Sequence, residues 1–300
     1  MDKFDAMRIF VEVAEANSFV AASRKLDLSA PAVTRAIARL EKVLGVQLFN
    51  RTTRHIRLTD TGARFFDDAK RILEDLEQAE AMANGSYIQP KGELTITAPV
   101  LFGQMHITPI LTEYLQANPA VTANALFFDR ISNLIDEGMD IAIRIGPLKD
   151  SSLYATRVGH VQRIVCASPE YLKEYGTPEH PSELTDHRII QATTVEPSTS
   201  WRFSSPKGKV SVKVTPRMNC CQNGAAICAA SHGFGITRLM SYQVGEELKA
   251  GVLQRILKDF EMDPLPVNIV YLGGQKANAK IRSFIDLAVE RLRANPFIDH

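Results

Sequence analysis

The sequence predicts a mainly helical N-terminal module followed by a larger α/β domain. Two patterns lead to this prediction: short helices with clear start and stop signals occupy residues 1–58, and strands alternate with helices from Gly92 onward. The chain of 300 residues has room for about two domains at ~150 residues each. Each part is therefore long enough to bury a core of its own.

Short helices with explicit boundaries open the N-terminal module. Apolar residues at helical spacing predict a first helix that ends near Asn17, and Ser18 is a suitable N-cap for a second helix. Ser29 caps a third helix, in which Pro31 is tolerated in the first turn and Gly45 marks the end. Two helices joined by a brief turn are typical of a helix-turn-helix.

The third helix and the segment after it complete the module. At ~100° per residue, the apolar residues of this helix form one narrow stripe and its bases lie opposite. Residues 46–49 and 55–58 are predicted as short strands, with residues 50–54 as the turn between them. We therefore expect a core-facing stripe, a basic face, and a small hairpin, or wing, beside the helix. The stripe consists of Val33, Ile37, Leu40 and Leu44, and the bases are Arg35, Arg39 and Lys42.

A long helix is predicted from Thr59 to about Asn84-Gly85. Its apolar residues recur at alternating spacings of four and three, the pattern of a coiled-coil seam. This face packs either against a second copy of the helix, which we favour because the helix is acidic and extended, or against its own domain. The seam residues are Phe65, Ala69, Ile72, Leu76, Ala79 and Ala83.

The second part of the chain alternates between strands and helices, which predicts an α/β sheet structure. The predicted strands are residues 93–98, 121–127, 140–145, 161–168 and 267–272. The predicted helices are residues 103–117, 131–138, 225–232 and a last one that includes Ile281 and Leu292.

Composition and charge exclude several other classes of protein. Charged residues make up 23% and hydrophobic residues 45% of the chain, unlike disordered or collagen-like sequences. Four cysteines without regular spacing do not form a disulfide framework, which favours a reducing compartment. The first residues carry acids where a signal peptide carries bases, and no run approaches the roughly 18 apolar residues of a membrane span. We expect a cytoplasmic protein with no membrane partner.

Charge is unevenly distributed, although the formal net charge is only +1. Residues 29–58 contain six bases and one acid, Glu41, whereas residues 59–90 contain seven acids and three bases. A small basic module followed by an acidic segment indicates a local contact with a polyanion.

The N-terminal residues carry a dense set of short motifs. They are SFVAAS at 18–23, LS at 28–29, PAVT at 31–34, LE at 40–41, LG at 44–45, LFNR at 48–51 and LTDTG at 58–62, with Phe10 and Ile37. This set closely resembles the winged helix-turn-helix and linker helix of LysR-type transcriptional regulators. Beyond Gly92, the order of elements is similar to the effector-binding domain of that family, which resembles type 2 periplasmic binding proteins. Weaker motifs there lie at residues 101–103, 137–138, 140–142 and 233–236.

The resemblance implies a domain organisation and a set of partners. Residues 1–58 would form the winged helix-turn-helix, residues 59–90 the linker helix, and residues 91–300 the effector-binding domain. Subdomain I would comprise residues 91–162 and 267–300, and subdomain II residues 163–266. The implied partners are double-stranded DNA, a small-molecule effector and a second copy of the chain in a dimer formed through the linker helix. A homotetramer and a contact with RNA polymerase are further expectations.

The DNA contacts are predicted from residue types. A helix in the major groove needs short side chains near its N-terminus, and the third helix supplies them. Arg35 is long enough to reach a guanine edge, and the other bases would lie over phosphates. A single surface arginine is more often merely solvated, but this group on one helix face and wing favours DNA contact. The predicted contact residues are Ser29, Ala30, Pro31, Ala32, Thr34, Arg35, Arg39, Lys42, Arg51, Thr52 and Arg54.

Effector recognition is predicted where strands end and helices begin, because free N–H groups at a helix N-terminus favour anions. Residues 98–102 and 219–223 are such places, and the resemblance makes them the two lips of a cleft between the subdomains. The first lip is apolar, so we expect a ligand with a hydrophobic or aromatic body and an anionic group at a helix N-terminus. Family members that bind small dicarboxylates tend to carry hydroxyls at Pro99 and near Phe128, which argues against that ligand type here. The predicted effector residues are Pro99, Val100, Leu101, Phe102, Arg144, Cys220, Gln222 and Asn223.

Two further features allow more than one interpretation. Arg144 is either the partner of a ligand anion or an exposed structural arginine. Cys221, Cys228 and His232 share one face of a predicted helix, with Cys220 adjacent. They form either a metal or redox sensor or, more commonly, ordinary buried packing.

No Walker A, His-Glu-x-x-His, Gly-x-Ser-x-Gly or Gly-x-Gly-x-x-Gly motif is present, so we expect neither catalysis nor a cofactor.

The sequence is thus interpreted as a sequence-specific transcriptional regulator controlled by a small molecule. The alternative is a solute-binding protein or small-molecule enzyme built on the C-terminal fold alone. A solute-binding protein would need an export signal, and it would have no use for residues 1–58.

Overall fold

The computed structural model describes residues 2–51, 56–83, 89–130, 133–148, 153–192, 199–206, 208–273 and 278–298. The chain forms two compact units, Met1–Ile88 and Gln89–His300. No helix within the described ranges is long and apolar enough to cross a membrane.

The first unit contains the predicted helices, the wing and the long helix. Its elements are α1 (Lys3–Ala16), α2 (Phe19–Lys25), α3 (Ala30–Leu44), β1 (Phe49–Arg51), β2 (Ile56–Leu58) and α4 (Asp60–Ala83). The caps act as predicted: Ser18 and Ser29 accept hydrogen bonds from the N–H groups of Ala21 and Ala32. Gly45 ends α3 with a φ of 72°, a left-handed conformation that favours glycine.

Aromatic side chains organise the core of the first unit. Phe10 of α1 is fully buried, and its ring centroid lies 5.3 Å from those of Phe49 and Phe65. The apolar stripe of α3 joins the same core, with Val33 and Ile37 fully buried. Because α1, α3, the wing and α4 all contribute, the small module has a core large enough to hold α3 in place.

The wing begins later than the sequence predicts. Residues 46–49 were expected to form its first strand, but Val46 is 41% exposed and the strand starts at Phe49. Glu41 explains the shift, because its Oε1 accepts hydrogen bonds from the N–H groups of Leu48 (2.9 Å) and Phe49 (3.3 Å) and holds the chain against α3. Residues 50–51 therefore lie in the strand rather than in the turn, and residues 52–55 lie outside the described residues.

The second unit is built from strands and short helices. Its helices are α5 (Val100–Phe102), α6 (Thr108–Ala117), α7 (Pro169–Tyr175), α8 (Asn223–Ser231), α9 (Gly245–Lys249) and α10 (Ala279–Arg293). Its first strands are β3 (Gly92–Ala98), β4 (Val121–Phe127), β5 (Ile141–Ile145), β6 (Tyr154–Val161), β7 (Arg163–Ala167) and β8 (Ile189–Ala192). The remaining strands are β9 (Ser200–Ser205), β10 (Gly208–Lys213), β11 (Pro216–Cys220), β12 (Ile236–Met240), β13 (Gln254–Ile256) and β14 (Leu265–Tyr271).

These strands form two five-stranded mixed sheets. The first sheet has the order β4-β3-β5-β14-β6, and the second has the order β11-β8-β12-β7-β13. β9 and β10 form a separate two-stranded antiparallel ribbon. The chain leaves the first sheet at Gln162, between β6 and β7, and returns between β13 and β14. Leu265 and Pro266 already pair with β6, two residues before the predicted strand.

The second sheet has two differently covered faces. Ile164 and Leu239 point to the face packed against α8, in the same core cluster as Ala226. Val165 points to the other face, where it packs in one cluster with Trp201 and other residues of the ribbon and α7. Neighbouring residues of a strand alternate between faces, so each position on β7 and β12 can be assigned to one side.

Three sequence predictions in this unit are corrected. The helix expected over 103–117 begins at Val100 and passes through a π-helical turn, Gly103–Ile107. Glycine is required at residue 103, because a Cβ there would lie 2.4 Å from the Phe127 ring. The helix expected over 131–138 is wrong: residues 134–138 form turns, in which the side chain of Asn133 accepts from the N–H of Ile135. The single strand expected over 161–168 is the end of β6 followed by β7.

Candidate nucleic-acid interface and ligand cleft

The exposed face of α3 holds most of the residues predicted to contact DNA. Exposed residues recur at helical spacing on one side, and buried residues occupy the opposite side. The exposed set is Pro31, Thr34, Arg35, Ala38, Arg39 and Lys42. The buried set is Val33, Ala36, Ile37 and Leu40. Ala38 was not predicted, although its spacing from Thr34 and Arg35 places it at the centre of this face.

Small side chains surround the N-terminus of α3. The Ser29 hydroxyl accepts a hydrogen bond from the N–H of Ala32 at 3.3 Å. The Thr34 hydroxyl donates to the carbonyl of Ala30 at 3.0 Å, so its proton is used within the helix. This end of α3 can therefore approach a flat surface or groove closely, because no long side chain precedes Arg35.

The bases of α3 keep their charge available. Arg35, Arg39 and Lys42 are exposed, and within the described residues no ion pair involves them. The nearby acid Glu41 is engaged instead with the backbone of the wing. The side chain of Arg51, together with Thr52 and Arg54, lies outside the described residues. The described part of the module thus presents an uncompensated basic face.

The apolar stripe of α4 divides into two parts. Ala69 is fully buried and Phe65 is partly buried in the core of the first unit, which contradicts their assignment to an intermolecular seam. Ile72, by contrast, is 37% exposed. The alternative of packing on its own domain is therefore correct for the first turns of the stripe. The side chains of Ala79 and Ala83 lie outside the described residues.

The first lip of the cleft is partly open. Pro99, Val100 and Leu101 are partly exposed, but Phe102 is fully buried and its ring centroid lies 5.1 Å from that of Tyr242. Phe102 is therefore a core residue behind the lip, and its prediction as a ligand contact is corrected.

An unpredicted acid occupies the helix N-terminus at this lip. The Asp129 Oδ1 accepts a hydrogen bond from the N–H of Val100 at 3.1 Å. Burial raises the pKa of Tyr242, which lies two residues after β12, and the negative charge of Asp129 raises it slightly further. Asp129 is thus a resident anion at the place where a ligand anion was expected. Its position two residues beyond the end of β4 was the available sequence signal.

Arg144 lies in a charged network on the first sheet. Burial lowers its pKa, and the negative charge of Glu137 opposes this effect. Glu137 itself accepts two hydrogen bonds from Arg130, at 2.6 and 2.7 Å. This setting is consistent with the structural interpretation of Arg144, because an acidic side chain lies close to it.

The second lip leaves the start of α8 without a side-chain cap. Gln222 is exposed at the N-cap position, where its side chain makes no capping hydrogen bond, and Asn223 is partly buried. The Cys220 thiol donates to the carbonyl of Gln191 at 3.6 Å. The first N–H groups of α8 are therefore suited to an anionic group.

The cysteines differ from the common expectation of buried packing. Cys221 and Cys228 are exposed, so that expectation is wrong for both, and Cys221 precedes α8 rather than lying on it. Cys228 Sγ lies 3.8 Å from His232 Nδ1. No group of three or more potential metal ligands occurs within the described ranges of the chain.

The two crossings between the sheets are tied together by one side chain. Gln162 is buried, and its Nε2 donates to the carbonyl of Met262 on the return crossing at 2.5 Å. Its backbone also exchanges hydrogen bonds with Ser241, at 3.0 and 2.7 Å. A lone glutamine has no sequence signature, so this contact was not predicted.

A basic helix exposed in a winged helix-turn-helix, together with a domain of two sheets joined by two crossings, defines a DNA-binding regulator with a ligand-binding domain. The family model described as "Bacterial regulatory helix-turn-helix protein, lysR family" matches residues 4–63, and "LysR substrate binding domain" matches residues 88–293. The chain belongs to the LysR family of transcriptional regulators. It is a regulator rather than an enzyme, and LysR-type regulators bind DNA and small-molecule effectors and form oligomers.

Individual relatives agree with this assignment. An HTH-type transcriptional repressor of Pseudomonas aeruginosa is 32% identical over 300 residues, covering 99% of this chain and 95% of the relative. The solved structure of CrgA, a LysR-type regulator from Neisseria meningitidis, has a TM-score of 0.62 at 31% identity and covers 96% of this chain and 98% of that chain. The Vibrio cholerae virulence activator AphB has a TM-score of 0.61 at 28% identity, covering 96% and 99%. The predicted fold class is confirmed.

Proposed function

We propose that this regulator reads its operator with the exposed face of α3, supported by the wing. The observation that carries the proposal is the division of α3 into a buried apolar face and an exposed basic face, with small residues at its N-terminus. Arg35 is assigned to a base edge, while Arg39, Lys42, Arg51 and Arg54 are assigned to phosphates. The domain boundaries inferred from the sequence, a cytoplasmic location and a contact with RNA polymerase form part of the same proposal.

We further propose that the effector binds between the two sheets of the second unit. Val100 and Leu101 at the first lip suit an apolar or aromatic body. Because Asp129 occupies the N–H of Val100, the group that approaches this lip is a hydrogen-bond donor or a cation. An anionic group of the ligand is assigned to the uncapped start of α8 at the second lip.

DNA binding is tested by footprinting on the DNA that flanks the regulator's own gene. The slope of log K against log salt changes by about 0.9 for each phosphate contact. Arg39→Ala should lower this slope by about 0.9, the value of one phosphate contact, while leaving sequence preference intact. Arg35→Ala should instead cost ~1–3 kcal/mol for the base that it reads.

The matched control is Arg8→Ala, an exposed arginine on α1 away from the basic face of α3. It should leave both slope and preference unchanged. An unaltered salt slope in a folded Arg39→Ala variant would remove Arg39 from the contact set. Equal weakening on operator and random DNA in Arg35→Ala would refute the base-reading role.

A further inference from the structure

Two arginines lie side by side on the face of the second sheet opposite α8, and a third arginine on the β-ribbon is close enough for its charge to act on both. In the register of β7 and β12, Arg163 is opposite Met240 and Arg238 is opposite Val165. Opposed residues of an antiparallel pair share a face, and diagonal neighbours lie about 7–8 Å apart, within reach of long side chains. Arg163 and Arg238 are diagonal neighbours of this kind.

The β-ribbon supplies the third arginine and an aromatic support. Trp201 of β9 is buried in the same cluster as Val165, so the ribbon covers this face. The guanidinium carbon of Arg238 lies 4.8 Å from the centroid of the Trp201 ring, a distance suited to a cation–π interaction. Arg202 is the next residue of β9, so its side chain alternates to the exposed side of the ribbon, from where its charge acts on Arg163 and Arg238. Arg238 is thus held from one side by an aromatic ring.

The charges of this cluster are not balanced by acids. Within the described part of the chain, no hydrogen bond or ion pair joins Arg163, Arg202 or Arg238 to a carboxylate, whereas Arg255 on neighbouring β13 pairs with Glu261. Burial, then the charges of Arg163 and Arg202, lowers the pKa of Arg238 to about 9. Partial desolvation by the surrounding residues and the charge of Arg202 also lower the pKa of Arg163, although its side chain is exposed. Like charges held close together repel one another, and a bound anion would relieve this repulsion.

We propose that Arg163, Arg202 and Arg238 form a binding site for a compact polyanion of small-molecule size, a phosphorylated or polycarboxylate metabolite. Guanidinium groups bind phosphate and carboxylate oxygens in bidentate fashion, and three of them match a ligand with several negative charges. Arg238 on Trp201 forms the floor of the site, and the exposed Arg163 and Arg202 form its rim. The cluster belongs to the face of the second sheet that the ribbon covers, whereas the second lip of the cleft precedes α8 on the other face.

Trp201 provides a direct signal for this site, because it is the only tryptophan in the sequence. The full-length protein is titrated with inorganic pyrophosphate and, separately, with citrate, at an ionic strength held constant with sodium chloride. Anion binding is followed by Trp201 fluorescence, by calorimetry and by the thermal midpoint of unfolding. We expect a saturable change of Trp201 emission and a rise in thermal midpoint with at least one anion. The stronger of the two responses distinguishes a phosphate ligand from a carboxylate ligand.

Two variants and a control test the assignment. Arg163→Gln should weaken binding about tenfold or more, since a hydrogen bond to a charged group contributes ~1.5–3 kcal/mol. Arg238→Met should abolish binding and, without anion, should unfold at a higher temperature than the natural protein, because a partly buried charge that repels two neighbouring arginines is removed. Arg217→Met, at an exposed arginine of β11, should bind as the natural protein does.

The proposal is overturned if neither anion gives a saturable response in the natural protein. It is also overturned if Arg163→Gln and Arg217→Met weaken the response equally, since that result indicates a general effect of ions on the surface. Arg163→Gln keeps the test valid if Arg238→Met fails to fold. None of these readouts depends on DNA or on the effector, so failure here leaves the proposed function intact.

Discussion

His106 illustrates, at the scale of a single residue, how burial decides protonation. It lies in the π-helical turn and is 6% exposed. Its Nδ1 accepts a hydrogen bond from the Asn295 amide at 2.9 Å, which places the proton of the neutral ring on Nε2. That Nε2 has no hydrogen-bond partner within the described residues, and the ring packs against Phe102 and Tyr242. Burial lowers the pKa of His106 to about 4.

This lowered pKa predicts a loss of stability in mild acid. Between about pH 6.5 and about pH 4 the unfolded chain binds a proton at His106 that the folded chain does not, so the free energy of unfolding falls as the pH decreases. The contribution is at most ~1.4 kcal/mol per pH unit. Urea unfolding at pH 7 and pH 5 should show a smaller difference in His106→Phe than in the natural protein.

The exposed His232 on the C-cap of α8 provides the control, as His232→Gln should keep the full pH dependence. If His106→Phe retains the same pH dependence as the natural protein, the buried neutral histidine is not its source.

At the scale of an element, α4 combines two roles along one stripe. Its first apolar residues belong to the core of the winged module, and Ile72 lies on the exposed continuation of the stripe. Lys70 pairs with Glu15 of α1 at 3.1 Å, which further fixes this end of α4 to the module. The helix can therefore serve a dimer through its later turns, from Ile72 onward, while its first turns hold the DNA-binding module.

Substitution along α4 should separate the two roles. Ile72→Glu is expected to give a folded monomer, because a charge at a helix–helix contact would be buried without a partner. Operator binding should weaken with it, since two half-sites are coupled through the dimer. Ala69→Glu should instead unfold the first unit, because Ala69 is fully buried. Sedimentation and circular dichroism measure the two outcomes.

Asp68→Lys changes the charge at an exposed position of the same helix and should remain an oligomer. An intact oligomer in Ile72→Glu would show that the dimer uses another surface.

At the scale of the whole molecule, the proposed control by an effector requires that the bound ligand change how closely the two sheets of the second unit approach each other. Gln162 links the outgoing crossing to Met262 on the returning one, so a side-chain hydrogen bond joins the two crossings. A ligand that contacts both lips shifts their closure only by its differential affinity for the closed form. Asp129, Val100 and the start of α8 are the residues that would carry this difference.

A bulky residue at the first lip should therefore remove the response to ligand while leaving DNA binding intact. Val100→Trp is expected to abolish the rise in thermal midpoint caused by aromatic ligands in a panel of aromatic amines and acids. Operator affinity, measured by fluorescence anisotropy, should stay within about twofold because α3 is untouched. The exposed Val252→Trp is the matched control. A full ligand response in folded Val100→Trp would move the effector site away from this lip.

Much of the first unit follows from local sequence signals. Ser18, Ser29 and Gly45 determine where helices begin and end, because caps and left-handed glycines act within one turn of the chain. The spacing of apolar residues determines which face of α3 is buried, and the opposite basic face follows from it. The same periodicity predicted β3, β4, β5 and β14 of the second unit, whereas β8 to β12 were not predicted.

Tertiary structure alone decided the features that depend on residues far apart in the chain. The start of the wing depends on the Glu41 side chain, the charge of the first lip on Asp129, and the burial of Phe102 on Tyr242. The cluster of Arg163, Arg202 and Arg238 exists because a ribbon and two strands meet on one face of a sheet. Sequence patterns encode contacts within a turn or a strand, whereas these contacts arise from packing between elements, which determines the chemistry of each site.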